Sequence, residues 1–217
     1  MNIDRNRLVK SYYDVVYDGS KAGYALIIDQ LQGARCQSWS ILRYVGETNV
    51  VDRHLAALMQ RKGRSWSLKR YEWCSAEHDY AWCEVFDGRI VVERRGIRTT
   101  QMIAQDAVIQ PLVRMIAQYP RWGKIRDQVT FTLLDTGTDR VVGPASLVRT
   151  SAIESKHTYN LLAGDELIET LVVDRDRLIS QTSHVGVSLI LTSQEGALSR
   201  LPLPIQALEI RDREERE

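Results

Sequence analysis

Apolar and polar residues alternate along most of this chain at the two-residue period of β-strands. The segments SYYDVVYDG (11–19) and AGYALIIDQ (22–30) show the alternation and are rich in Tyr, Val and Ile. Gly19 and Gly23 lie near the intervening turn, where they suit a positive φ or a bulge. Strand-like segments of this kind recur as far as residue 192, so the pattern predicts a mainly β chain.

One segment departs clearly from this period. In AQDAVIQPLVRMIAQYP (104–120) the apolar residues have helical spacing, which predicts a helix over 106–119 with Asp106 as N-cap. A proline is tolerated only in the first turn, so Pro111 leaves open a later start near Gln110. Pro120 ends the helix. The residues on its apolar face are Ile109, Leu112, Val113 and Ile116.

A second segment, TNVVDRHLAALMQRKG (48–63), is ambiguous. Val51, Leu55 and Leu58 have helical spacing, yet the same residues also suit an extended strand in a large antiparallel sheet. Both interpretations stay open at this point.

The order of the elements predicts two antiparallel strand sets joined by one central helix. No strand–helix–strand alternation is present, which excludes a doubly wound sheet and favours a barrel, a half-barrel or a sandwich. We predict a long curved antiparallel sheet with the helix on its concave side. A single β-rich domain is expected over 1–210, followed by a charged tail over 211–217.

Composition narrows the classes of partner. The 217 residues include 44% hydrophobic and 26% charged residues, typical of a soluble globular chain, and the formal net charge is +1. This balance argues against a nucleic-acid partner, and no apolar run is long enough to span a membrane. No signal sequence is visible near Met1. The expected location is therefore cytoplasmic on the literal sequence, or periplasmic if a signal was removed.

The segment EWCSAEHDYAWCEVFDG (72–88) predicts a hairpin. A turn centred on residues 77–80 would place Cys74 opposite Cys83, with the nearby aromatic rings on one side and both thiols on the other. Packed free thiols, a disulfide and a zinc site are then the alternatives. Zinc needs four ligands, and this segment offers three, so we predict no metal site.

No catalytic or cofactor motif stands out elsewhere. The chain has no nucleophile elbow, phosphate-binding loop or paired-histidine metal motif, so we predict no catalytic residue and no cofactor. Carboxylate pairs such as Glu166 with Glu169 lack any sign of a shared cleft. Aromatic rings with one polar atom are the remaining candidates, since such rings line amphiphilic grooves as well as cores. The candidate ligand-binding residues are Trp39, Trp66, Tyr71, Trp73, Trp82 and Trp122.

Several segments together resemble a bacterial half-barrel domain of unknown function. These are YYDVVYDGSKAGYALI (12–27), FDGRIVVERR (86–95), PLVRMIAQYPRWGKIRDQVTFTLLD (111–135), VVDRDRLISQTS (172–183) and VSLILTSQEGAL (187–198). The resemblance implies a curved antiparallel sheet wrapped around a helical segment, similar in shape to periplasmic lipoprotein carriers. It carries no catalytic residues.

Three functions remain open. The leading one is a non-enzymatic scaffold that holds an apolar or amphiphilic ligand, such as a lipid, or a protein partner, in a groove between sheet and helix. The second is an enzyme of cyclase or isomerase type, which a buried carboxyl or His in the groove would favour. The third is a structural subunit of a larger assembly.

Overall fold

The computed structural model describes residues 6–62, 65–75, 79–86, 88–104, 106–118, 127–135 and 140–214. Fifteen strands and three short helices are present in this part of the chain. The first eight strands are β1 (Arg7–Tyr17), β2 (Ser20–Gln32), β3 (Arg35–Val45), β4 (Val50–Lys62), β5 (Ser65–Ser75), β6 (Tyr80–Phe86), β7 (Arg89–Arg94) and β8 (Ile97–Met102). The remaining elements are β9 (Ala107–Ile109), α1 (Gln110–Gln118), β10 (Gln128–Asp135), β11 (Arg140–Ile153), β12 (Lys156–Ala163), β13 (Glu166–Asp174), β14 (Arg177–Ser183), β15 (Val187–Thr192), α2 (Gln194–Leu198) and α3 (Leu203–Glu214).

All fifteen strands belong to one open, curved sheet, which confirms the predicted fold class. The order is β8-β7-β6-β5-β4-β3-β2-β1-β15-β14-β13-β12-β11-β10-β9. Neighbours pair antiparallel except β9 with β10, which pair parallel. The chain runs outward from β1 to β8, passes through β9 and α1 to the opposite edge, and returns to β1 through β15. The predicted two strand sets therefore meet at the β1–β15 pair.

The turn between β1 and β2 shows why the sequence places glycines there. Asp18 and Gly19 both have positive φ, as a tight two-residue hairpin turn requires. The register shifts between Val15 and Val16 next to Gly23, so a bulge follows the turn. A Cβ on Gly23 would lie 1.9 Å from the carbonyl oxygen of Arg43, so only glycine allows β2 and β3 to approach this closely.

The ambiguous segment is a strand. In β4 the side chains of Leu55, Ala57 and Met59 are buried in the main core, while the residues between them are less buried. This two-residue period buries one face of an extended chain. Strands β3 and β5 pair with the two edges of this segment, so it is extended although its apolar spacing also fits a helix.

The central helix lies inside the curve of the sheet. It begins at Gln110, the later of the two predicted starts, and residues 112–118 are all buried. The prediction that Asp106 caps the helix is wrong. Residues 107–109 form β9 instead, because this fully buried apolar triplet pairs with β10 and completes the sheet edge. Pro120 lies outside the described residues.

The hairpin at β5–β6 has a different register from the predicted one. Cys74 lies opposite Tyr80, and Cys83 lies opposite Tyr71. The shift of three residues is odd, so it reverses which face of β6 each side chain occupies. Tyr71 and Cys83 are buried on one face, whereas Trp82 lies on the other, so the predicted single aromatic side is wrong. The observed register leaves Glu84 exposed, whereas the predicted one would have set it among the rings.

A smaller core covers part of the convex face. Tyr24, Ala197, Leu201 and Ile205 form this second cluster beneath α2 and α3. Helix α3 continues to Glu214, so part of the predicted tail is helical. Residues 215–217 lie outside the described residues.

Candidate functional site

A cavity lies between the concave face and α1. Its volume is about 440 Å³, within the usual range of roughly 300–1,000 Å³ for small-molecule pockets. Strands β2, β3, β4 and β5 supply one wall, while α1, β13, β14 and β15 supply the other. The apolar residues lining it are Ala25, Ile27, Ile41, Leu42, Leu55, Trp73 and Leu189.

Glu169 is the buried carboxyl of this cavity. Glu169 is 5% exposed, and its two carboxylate oxygens accept hydrogen bonds from Gln110 Nε2 at 2.8 Å and Gln181 Nε2 at 2.9 Å. Burial raises the pKa of Glu169, and the two amides lower it by less, so the pKa stays above the usual value. The geometry therefore places a buried carboxyl with a raised pKa against apolar side chains.

Arg114 is the buried cation at the same cavity, and four hydrogen bonds hold it within the protein. Its Nη1 donates to Asp29 Oδ2 at 2.7 Å and to Gln118 Oε1 at 2.8 Å. Its Nη2 donates to Asp29 Oδ1 at 2.9 Å and to Ser38 Oγ at 2.8 Å. This paired fork ties α1 to β2 and β3, and the charge of Arg114 is matched by Asp29.

The candidate rings do not all gather at one place. Trp73 lines the cavity, and the guanidinium carbon of Arg94 lies 4.9 Å from the centroid of its ring. Tyr71 is 1% exposed in the main core. Trp66 lies in β5, but its side chain is outside the described part of the structure, as is the whole of Trp122.

Trp39 and Trp82 lie on the convex side. Ser38 reaches Arg114 on the concave side, so the neighbouring Trp39 projects from the opposite face of β3. There Trp39 and Tyr80 line a shallow groove of about 320 Å³, and Trp73 lines this groove as well as the cavity. Trp39 is 38% exposed and Tyr80 49% exposed, so the groove is an open surface feature.

A buried ionic cluster lies beside this groove. Arg43, 2% exposed, pairs with Asp52 at 2.8 Å, with Asp212 at 2.6 Å and with Glu209 at 2.5 Å. Burial lowers the pKa of Arg43, but the hydrogen bonds to Asp52 and Asp212 raise it by more, so the guanidinium stays charged. His54 Nε2 lies 3.0 Å from Asp52 Oδ1. The cluster fastens α3 to β3 and β4.

The thiols do not form a common site. Cys36, Cys74 and Cys83 are all free, and Cys74 is exposed whereas the other two are buried. Burial and the nearby Asp29 raise the pKa of Cys36 to about 12, so its thiol is an inert packing group. Within the described ranges no group of three or more His, Cys, Asp or Glu is arranged to hold a metal, and His78 lies outside them. None of the described helices is long and apolar enough to cross a membrane.

No family model and no curated protein sequence matches this chain. The fold is similar to that of a β-barrel-like protein of the domain of unknown function DUF1849 from Brucella abortus. That structure has a TM-score of 0.52 and 12% identity, with 87% of this chain and 97% of the other covered. A DUF1089 family protein from Pseudomonas aeruginosa gives a TM-score of 0.46 and 17% identity, with 74% and 89% covered.

The first of these likenesses establishes the fold and nothing finer. The resemblance to bacterial half-barrel domains of unknown function, predicted from the sequence, is confirmed at that level. The chain folds as one large, open, curved sheet with three short helices in its described part.

Sequence reasoning missed the polar half of the cavity. Glu169 was considered only as a partner of Glu166, which is exposed. Arg114 lay within the predicted helix, but nothing in its neighbours indicated a partner 85 residues away. Its position on a helix with no other charged residue among Leu112–Gln118 was the one available sign of a buried pair.

Proposed function

We propose that this protein binds an apolar or amphiphilic small molecule in the cavity between the concave sheet and α1. The observation that carries the proposal is a cavity of about 440 Å³ in which apolar side chains lie beside one buried carboxyl, Glu169. Removing apolar ligand surface from water would stabilise the complex by about 25 cal/mol per Å². Trp73 is the candidate ring that would contact the ligand, and Glu169 with its two glutamines would orient the polar end.

Native mass spectrometry of freshly purified protein tests the proposal. We expect a non-covalent adduct that organic extraction removes. Ala25→Phe fills the cavity and should lose the adduct. Ala56→Phe is the matched control, because Ala56 lies on β4 and lines the convex groove instead.

Leu189→Trp narrows the same cavity from β15 and keeps the test informative if Ala25→Phe is poorly folded. Wild-type protein that carries no adduct and binds no apolar fluorescent probe would refute the proposal. Loss of the adduct in Ala56→Phe alone would move the binding site to the convex groove.

A second candidate function is favoured by Glu169 itself. A carboxyl whose pKa is raised by burial can give a proton to a bound substrate, as an isomerase or cyclase requires. An enzyme of this kind predicts that Glu169→Gln retains a precursor that the wild type converts. The molecules extracted from the two proteins would then differ in structure, which chromatography with mass spectrometry detects. Identical extracts from the wild type and Glu169→Gln would favour a binding protein over an enzyme.

A further inference from the structure

The polar groups of the cavity offer different things to a ligand. Arg114 directs four N–H bonds to Asp29, Ser38 and Gln118, so these four N–H groups are engaged within the protein. Glu169 accepts one bond on each oxygen, whereas an ionised carboxylate has about four acceptor positions. The buried cation is paired and held by four hydrogen bonds, and the buried acid retains acceptor capacity.

The charges around the cavity also favour a ligand that donates hydrogen bonds. Asp135 lines it as a second carboxylate, and Arg53 lines it with an exposed side chain that water screens. Gln110 and Gln181 each carry both a donor and an acceptor, so their amides favour neither sign of charge. A negatively charged head placed deep in the cavity would lie close to Glu169. The buried cation there, Arg114, is already paired with Asp29 and would not compensate it.

We infer that the ligand's polar head donates hydrogen bonds and carries no negative charge, with a primary amine fitting best. The inference rests on the proposed function, since it concerns the same cavity. An ammonium group has three donors and a compact charge, which suit the remaining acceptor positions of Glu169. An alcohol offers one donor and should bind more weakly. A carboxylate or phosphate head has only acceptors to present.

Three amphiphiles with the same alkyl chain and different head groups separate the contribution of the head to affinity from that of the tail. Dodecylamine, dodecanol and dodecanoate are cationic, neutral and anionic at neutral pH, and each is titrated below its micelle concentration against the protein loaded with N-phenyl-1-naphthylamine. We expect dodecylamine to displace this probe with an affinity about tenfold or more above that of dodecanoate, with dodecanol between them.

Glu169→Gln should reduce the advantage of the amine to about threefold or less, because it removes the charge but keeps the shape. Glu166→Gln is the matched control on the same strand, where the carboxyl is exposed, and should keep the wild-type order. A circular dichroism spectrum of each variant establishes that it is folded before titration.

The outcomes separate the two proposals. Equal affinities for the three heads, or tighter binding of dodecanoate that Arg53→Gln abolishes, would overturn the head-group inference and leave the ligand cavity standing. If the probe binds nowhere and none of the three amphiphiles is taken up, both the proposed function and this inference fail.

Discussion

At the residue scale, the two glutamates of β13 show how position on a strand decides chemistry. A register shift in the β12–β13 pairing separates the two glutamates: Glu166, the first residue of β13, pairs with Ala163, whereas Glu169 pairs with Leu161. Glu166 is exposed, whereas Glu169 lies 5% exposed against α1. The sequence contains the same carboxyl twice, and only the register with β12 and β14 tells which one is buried.

The stability of the fold should depend on the protonation of Glu169. Burial holds its folded pKa above the unfolded value of 4.5, so the folded state retains the proton at higher pH. This contribution is fully present below the unfolded pKa and is lost as the pH rises through the folded pKa. Relative to wild type, Glu169→Gln should therefore gain free energy of unfolding as the pH rises from about 4 to about 8.

Urea unfolding at a series of pH values measures this difference. Glu166→Gln controls for the change in net charge, and its stability should follow that of the wild type across the series. Parallel curves for Glu169→Gln and wild type would contradict the raised pKa.

At the element scale, the chain itself specifies most strands and the place of the helix. Alternation predicted the strands, and the spacing of apolar residues after Pro111 predicted α1, because both are repeats along one segment. The prediction was wrong where an element depends on a distant partner. Residues 107–109 became β9 through pairing with β10, and β6 slipped by three residues against β5.

Helix α3 is an element whose position depends on one residue of the sheet. Arg43 reaches Glu209 and Asp212 from beneath the helix, and Tyr24 donates a hydrogen bond to Glu209 as well. The apolar contacts of α3 are few, with Ile205 its one fully buried residue among those whose side chains are described. The ionic cluster therefore fixes where this helix docks.

Arg43→Met should release α3 and lower the free energy of unfolding by about 3–5 kcal/mol, since it leaves the buried Asp52 without its cation. Limited proteolysis followed by mass spectrometry should then show cleavage within 203–214 before the sheet is cut. Arg35→Met is the control, because Arg35 lies exposed on the same strand. Equal protection of α3 in the two variants would show that its apolar contacts suffice.

At the scale of the whole molecule, α1 lies inside the curve of the sheet and a buried ion pair holds it there. The helix follows the first strand set along the chain, yet Arg114 pairs with Asp29 in β2, near the start of that set. Both side chains are 3% exposed, so neither charge has water to replace a lost partner. This one pair connects the interior helix to the wall that faces it.

Arg114→Met should destabilise the protein by about 3–5 kcal/mol, because Asp29 remains buried and charged. Combining it with Asp29→Leu should restore most of that loss, since the interior then holds no unpaired ion. Urea unfolding of both single variants and the double variant measures the coupling. Arg149→Met removes an ion pair whose partner Asp127 is 85% exposed, and should cost about 0–1 kcal/mol. A double variant no more stable than Arg114→Met would contradict the argument.

The order of residues alone specified a mainly β chain, one central helix and tight turns at positions such as Gly19, because these features depend on neighbours within a few residues. Register, the partner of Arg114 and the face on which each tryptophan lies were decided by contacts between segments far apart in the chain. Side chains on a strand alternate between two faces, so a slip of one or three residues exchanges inside for outside. For this reason Trp73 reached the cavity and Trp39 did not, although both lay in equally strand-like segments.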